Sequence, residues 1–242
     1  MIETLLEVKT AEGRMETFTC RPAHGGPRPL VLFLMDAPGI REELRDMARR
    51  FALAGFHVAL PNLYYRFGVT ELGPLPRRAE GPLIPRIVGL MNRLTIAGVM
   101  QDIDALFAAI PVGAVTGSAA CIGYCMSGQF AMNAAARHPE RIAVAASVHG
   151  TRLVTGSPDS PHRVASRTRA RLYFACAEFD EEAPLSEVRE LASALEQTAT
   201  SAEVEIYPGV EHGFVFPGRD AYDLQAAERH WERLFGLLKT LE

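Results

Sequence analysis

The sequence has no CxxC pair, and its four cysteines, Cys20, Cys121, Cys125 and Cys176, are scattered along 242 residues. That spread does not make a disulfide scaffold. Cys121 and Cys125 are four apart, and on an extended chain they stand roughly 13 Å from each other, too far to bridge. Four reduced thiols with separate fates are expected. Positive charge is not in excess: 25 Lys and Arg face 29 Asp and Glu, for a net charge of −4. No long basic cluster offers a footing for nucleic acid. No apolar run is long enough to cross a bilayer, and the opening MIETLLEVKT carries acids where a signal peptide needs a basic end and an apolar stretch. The expectation is a soluble cytoplasmic protein with no nucleic-acid or membrane partner. HExxH and paired CxxC spacings are absent, as are a Walker loop and a strand–GxGxxG–helix. Neither a metal nor any other cofactor is expected. There are no repeats, low-complexity segments or flexible linkers, so residues 1–242 read as a single domain.

What is present is an alternation of strands and helices. Ile2–Val8 and Met15–Cys20 flank a turn at Glu12-Gly13 and read as an antiparallel hairpin. PLVLFLM (Pro29–Met35) is continuously apolar, as a strand buried on both faces must be. Leu44, Met47, Ala48, Phe51 and Ala52 then recur at helical spacing, and Gly55 is a stop before the strand Phe56–Pro61. This βαβ unit predicts a mostly parallel central sheet flanked by helices on both faces. Prolines 61, 74, 76, 82 and 85 mark residues 61–98 as a long irregular connection. Further strands are predicted at Gly117–Tyr124, Arg141–Val148, Arg171–Ala177 and Ala202–Tyr207. Helices are predicted over about Ala97–Ile110, Met126–Arg137, Pro184–Gln197 and Tyr222–Leu241.

The residues that follow these strands carry the chemistry. They are Asp36, Cys125, His149, Glu178 with Asp180, and His212. In an open α/β sheet, ligands bind outside the carboxyl ends of the strands. A thiol, two imidazoles and several carboxylates are thereby directed to one edge.

Cys125 lies in Gly-Tyr-Cys-Met-Ser, with small residues two before and two after, as a nucleophile elbow requires where strand and helix nearly touch. A helix N-terminus favours thiolate, and the amide of Met126 is free for an oxyanion. The competing fate is a buried, inert thiol. His212, in YPGVEHGF, suits the general base, and Asp180, in EFDEEAP, suits the acid that orients it; Glu178, Glu181 and Glu182 are rivals. The order nucleophile, acid, histidine is that of the α/β-hydrolase fold. His149 stands at a strand terminus and reads either as a pocket residue or as a structural histidine. His24, His57, His138, His162 and His230 fit surface or helix-end roles. Tyr64, Tyr65 and Phe67, with Phe214 and Phe216, are candidate pocket walls or ordinary packing.

Through PLVLFLMDAPGI, PNLYYR, GYCMSG, AEFD and YPGVEHGF, the chain resembles the dienelactone hydrolase family of α/β-hydrolases over nearly its whole length. The resemblance implies Cys125, Asp180 and His212 as a triad without a cofactor, and oxyanion donors at the backbone of Met126 and Ala37. Three positions depart from the family pattern. Ser127-Gly128 stands where Gly-Gly is frequent. Asp36 replaces a glutamate that pairs with the resting thiol, and Phe214 to Phe216 occupy the stretch where an arginine holds a substrate carboxylate. Asp36 reads either as a modulator of the thiol or as a turn or helix-capping acid.

The expected activity is hydrolysis of a small activated ester or enol lactone through a thioester. A thiolate is itself readily expelled from a tetrahedral intermediate, so good leaving groups are favoured over amines. The alternative is a ligand-binding or thiol redox-sensing protein on the same scaffold.

Overall fold

The computed structural model describes residues 1–242 apart from Ala79, Val112 and Glu242. Its first strands, β1 (Ile2–Thr10) and β2 (Gly13–Arg21), form the antiparallel hairpin foreseen around Glu12-Gly13. β3 (Leu30–Leu34) is buried at every position, as its unbroken apolar run requires. Each such side chain contributes about 1.5–3 kcal/mol on leaving water. Helix α1 (Glu42–Leu53) buries the five residues whose spacing announced it. Its first turn carries Glu42 and Glu43 and its last turn Arg50, matching the helix dipole at both ends. The chain then returns through β4 (His57–Pro61).

Part of the stretch 61–98 is more ordered than its prolines suggest. It contains α2 (Leu83–Arg93). Pro82 and Pro85 flank the first turn of this helix, where amides lack partners anyway and proline costs little. α3 (Ile96–Ala109) follows, turned through 77° from α2, with Thr95 capping the amide of Gly98. The remaining elements are β5 (Ala119–Tyr124), α4 (Gly128–Arg137), β6 (Ile142–Val148), the short α5 (Pro161–Val164), β7 (Arg171–Phe179), α6 (Leu185–Glu196), β8 (Ala202–Glu211) and α7 (Leu224–Leu238).

The eight strands form one sheet in the order β1-β2-β4-β3-β5-β6-β7-β8, parallel from β4 to β8. From β3 the chain steps to β4 on one side, then crosses back to β5 on the other. The sheet therefore reverses direction of growth between β3 and β5, which is where α/β sheets open a crevice at their carboxyl ends. α1 and α7 pack together through Phe51 and Trp231, 4.8 Å between ring centroids, while α3, α4, α5 and α6 contact one another in succession. Among the described residues no single helix is long and apolar enough to cross a membrane.

β7 and β8 run further than Ala177 and Tyr207. β8 continues through Pro208-Gly209 because it is the edge strand, where a missing amide is tolerated, and because the register shifts between Ala177 and Phe179. Glu178 consequently lies within β7 rather than after it. The extension of β8 delivers the chain to His212.

Candidate active site

Cys125 directly follows β5 and opens a single 3₁₀ turn, Cys125–Ser127, that runs into α4. Its φ is 52°, the left-handed region that non-glycine residues rarely occupy. The bend depends on what surrounds it. A Cβ on Gly123 would stand 2.0 Å from the carbonyl oxygen of Ser127, and one on Gly128 would run into Ser147 Oγ and stand 2.9 Å from the Cα of Gly150. Strand and turn therefore meet backbone to backbone, and the start of the helix lies hard against β6 and the chain just beyond it. Ser127 is fully buried, and its hydroxyl donates to the carbonyl of Met35 at the end of β3. The amide of Thr151, beyond β6, donates to the carbonyl of Cys125 at 3.1 Å. The serine that departs from Gly-Gly thus ties the turn to the neighbouring strand.

The other three thiols are buried, and desolvation pushes Cys20 and Cys176 up to about 12 and Cys121 higher still. Cys125 is half-buried and faces His212.

His212 Nδ1 donates to Asp180 Oδ2 at 2.7 Å. The other oxygen of Asp180 accepts from the amides of Glu182 and Ala183, at 2.9 and 3.1 Å. The carboxylate is nearly inaccessible, with 1 % side-chain exposure against 24 % for His212. Its rivals are occupied or outward: Glu178 accepts from the amide of Gly209, and Glu181 and Glu182 are exposed. Burial opposes a charge on His212. Cys125 and Asp180 overcome it by charge and hydrogen bonding, and hold the imidazole well above its ordinary range. Because Nδ1 serves Asp180, Nε2 is the nitrogen left for the sulfur.

Met126 is the second residue of the turn, where helical amides lack partners. Ala37 lies in a turn closed by Gly39 N–H donating to Asp36 O, with Gly39 at φ 81°. The Tyr64 hydroxyl donates to Ala37 O at 2.7 Å and reaches Met126 Sδ at 3.5 Å. Tyr64 thus spans the two stretches that carry the candidate oxyanion amides, although its own burial leaves it almost no surface.

Several expectations need amendment. Asp36 is not a free carboxylate beside the thiol, for Arg41 grips both its oxygens at 2.6 and 3.0 Å and also holds Glu43. Nor does it cap α1, whose N-cap is Arg41. Tyr65 is drawn away from the site, because its hydroxyl bonds Asp102 and Thr10 and lines a cleft beside the hairpin. Phe214 and Phe216 are sealed, at 0 and 2 % exposure, and pack against His149 instead of walling an open pocket. His149 is likewise buried, its ring centroid 4.6 Å from that of His212. His230, expected at a helix end or surface, is fully buried in α7, where Nδ1 donates to Ala227 O and Nε2 accepts from Tyr124.

Sequence reasoning missed Arg41, Thr151 and the two amides under Asp180. The first had a signal, an arginine five residues after a strand-end aspartate. The other contacts are made by backbone and leave none.

The dienelactone hydrolase family profile matches residues 15–242. A Methylorubrum extorquens protein named "Putative carboxymethylenebutenolidase" is 28% identical over 238 residues, covering 95% of this chain and 78% of its own. Among solved structures, a Klebsiella pneumoniae protein described as a "Putative Dienelactone Hydrolase" superposes with a TM-score of 0.84 at 24% identity, covering 98% of each chain. The dienelactone hydrolase-like promiscuous phosphotriesterase P91, from metagenomic libraries, does so with 0.79 at 20%, covering 99% of this chain and 98% of its own. At those identities the structural likeness establishes the fold.

Proposed function

The chain belongs to the dienelactone hydrolase family of ester and lactone hydrolases, and from that premise we propose that it hydrolyses small activated esters or enol lactones with Cys125 as nucleophile. The observation that carries this reading is the strained, half-buried cysteine facing an imidazole whose far nitrogen is held 2.7 Å from a buried carboxylate.

His212 takes the thiol proton, and Asp180 fixes the tautomer and stabilises the imidazolium. The sulfur attacks the acyl carbon, and the amides of Met126 and Ala37 receive the developing oxyanion. As the tetrahedral intermediate collapses, the carbon–oxygen bond breaks and His212 returns its proton to the departing alkoxide or enolate. A thioester on Cys125 remains. Water then gives a proton to His212 and adds to the thioester, and the thiolate leaves with the carboxylic acid as product. No step draws on a cofactor.

In this reading Arg41 offsets most of the Asp36 charge, so the carboxylate has little hold on the thiol. Its field and that of Cys125 both reach Tyr64, whose hydroxyl is pushed up first by burial and then by these two groups. Residues 1–242 act as one domain, a reading supported by the single connected core, and the four free thiols suit the reducing cytoplasm.

The test is Cys125→Ala assayed on p-nitrophenyl esters and small lactones. Turnover is expected to vanish while circular dichroism and melting temperature stay near wild type. An unaltered rate rejects Cys125 as the nucleophile.

A further inference from the structure

His149 is a costly residue where it stands. Its φ is 37°, left-handed for a side chain with a Cβ. It is 1 % exposed, and neither Nδ1 nor Nε2 has a hydrogen-bond partner on any other described residue. Buried polar atoms are nearly always paired, so two unpaired nitrogens on one ring need an explanation. The surroundings are those of a phenylalanine. Tyr124, Phe214 and Phe216 lie with their centroids 5.9, 6.0 and 5.4 Å away. A hydrocarbon ring would fill this space with nothing left unsatisfied. The nearest ring is His212, at 4.6 Å and 69°.

We propose that His149 is a positioning residue for His212, whose ring it holds edge to face and whose protonated form it stabilises through the negative end of its own ring dipole. This rests on the reading of Cys125 and His212 as nucleophile and base. An imidazolium beside a neutral imidazole is attracted both to the π face and to the nitrogen that carries no proton. Phenylalanine supplies only the first. The arrangement requires His149 to stay neutral. Burial ensures this first, and the neighbouring His212 and His230 add to it, so that the ring is held well below its ordinary range.

The charged and titratable groups around the pair are few. Cys125 beyond β5 and Asp180 beyond β7 face His212. His230 of α7 stands behind Tyr124 and Phe214. Arg41, paired with Asp36, covers Phe216 from outside at 5.0 Å. None of these replaces the contact that His149 makes on the His212 ring.

The test compares wild type with His149→Phe, His149→Leu and His149→Asn, using p-nitrophenyl acetate turnover and the pH profile of Cys125 alkylation by iodoacetamide. His149→Phe loses two unpaired nitrogens but places a phenylalanine in the left-handed region, so it is expected to melt close to wild type. Its kcat should fall about tenfold at unchanged KM. Its alkylation midpoint should move up by about one pH unit, because a destabilised imidazolium gives a weaker ion pair with the thiolate. His149→Asn tolerates the left-handed backbone and keeps a polar atom, and it should recover part of the rate that His149→Leu loses. Wild-type kcat and alkylation profile in His149→Phe would overturn the proposal. So would a His149→Asn enzyme as slow as His149→Leu, a comparison that holds even should the phenylalanine variant fold poorly. Cys125→Ala, run alongside, separates the two layers. If it hydrolyses the ester at the wild-type rate, the nucleophile assignment is at fault; if it is inactive while His149→Phe is normal, only the role of His149 falls.

Discussion

Adding one methyl group at Gly123 should disable the enzyme from beneath its elbow. An alanine Cβ there would sit 2.0 Å from the oxygen and 2.4 Å from the carbon of the Ser127 carbonyl, and 2.9 Å from the amide nitrogen of Gly128. Ordinary contacts begin at 3.4 Å, so the turn would have to retreat by about 1.4 Å. All three obstacles are backbone, and no rotamer change relieves them. The turn that moves carries both Cys125 Sγ and the amide of Met126. A misplacement of about 1 Å in a reacting constellation can cost roughly a hundredfold in rate. Overpacking of this kind costs about 2–3 kcal/mol of stability, or roughly 5–10 °C in a chain of this length. The assay is kcat on an activated ester together with thermal melting. Gly236→Ala in α7 is the control, since nothing lies within 4 Å of its Cβ, and it should gain about 0.5–1 kcal/mol. A Gly123→Ala enzyme with wild-type kcat and melting temperature would refute the argument that the elbow geometry demands glycine.

Three further outcomes follow from the thiols and the buried histidines. Native protein treated with iodoacetamide should take up one label, at Cys125, and four after denaturation, because the other thiols are sealed and Cys20 and Cys176 are raised to about 12; native labelling at Cys20, Cys121 or Cys176, read by peptide mass spectrometry, would contradict this. Stability should fall as pH drops from about 6.5 towards 4, since His230 is lowered to about 4 by burial. The unfolded chain binds that proton first, so about 3 kcal/mol present above pH 6.5 is lost across the window. His149 contributes in the same direction, and denaturant melts of wild type and His230→Gln should differ in slope between these pH values. Asp36→Asn should shift the alkylation midpoint of Cys125 by less than one pH unit, because Arg41 already offsets the carboxylate; a shift of two units would restore Asp36 as the dominant field on the thiol.

The parallel core was legible because its strands are buried on both faces and therefore continuously apolar, as in Leu30–Leu34. The hairpin and α1 were legible from their periodicity and punctuation. Helix α2 was not, because Pro82 and Pro85 read as breakers, and only the structure places them around the first turn, where proline does no harm. The ends of β7 and β8 were missed for a related reason. Pro208-Gly209 signals a turn, yet an edge strand with a register shift accommodates both. Within the site, Cys125, Asp180 and His212 stood out by their places after strands, and the structure brings all three together. The aromatic residues did not sort themselves. Whether Tyr65 or Phe214 faces a substrate or the core depends on distant partners such as Asp102 and His149, which share no local pattern with them.

Acyl transfer through the sulfur of Cys125 leaves a covalent trace. Rapid acid quench of the enzyme during turnover of a slowly deacylating p-nitrophenyl ester, followed by peptide mass spectrometry, reads that trace. The mass of one acyl group is expected on the peptide bearing Cys125, absent in Cys125→Ala. An acyl group on another residue, or steady hydrolysis by Cys125→Ala at the wild-type rate, would contradict it.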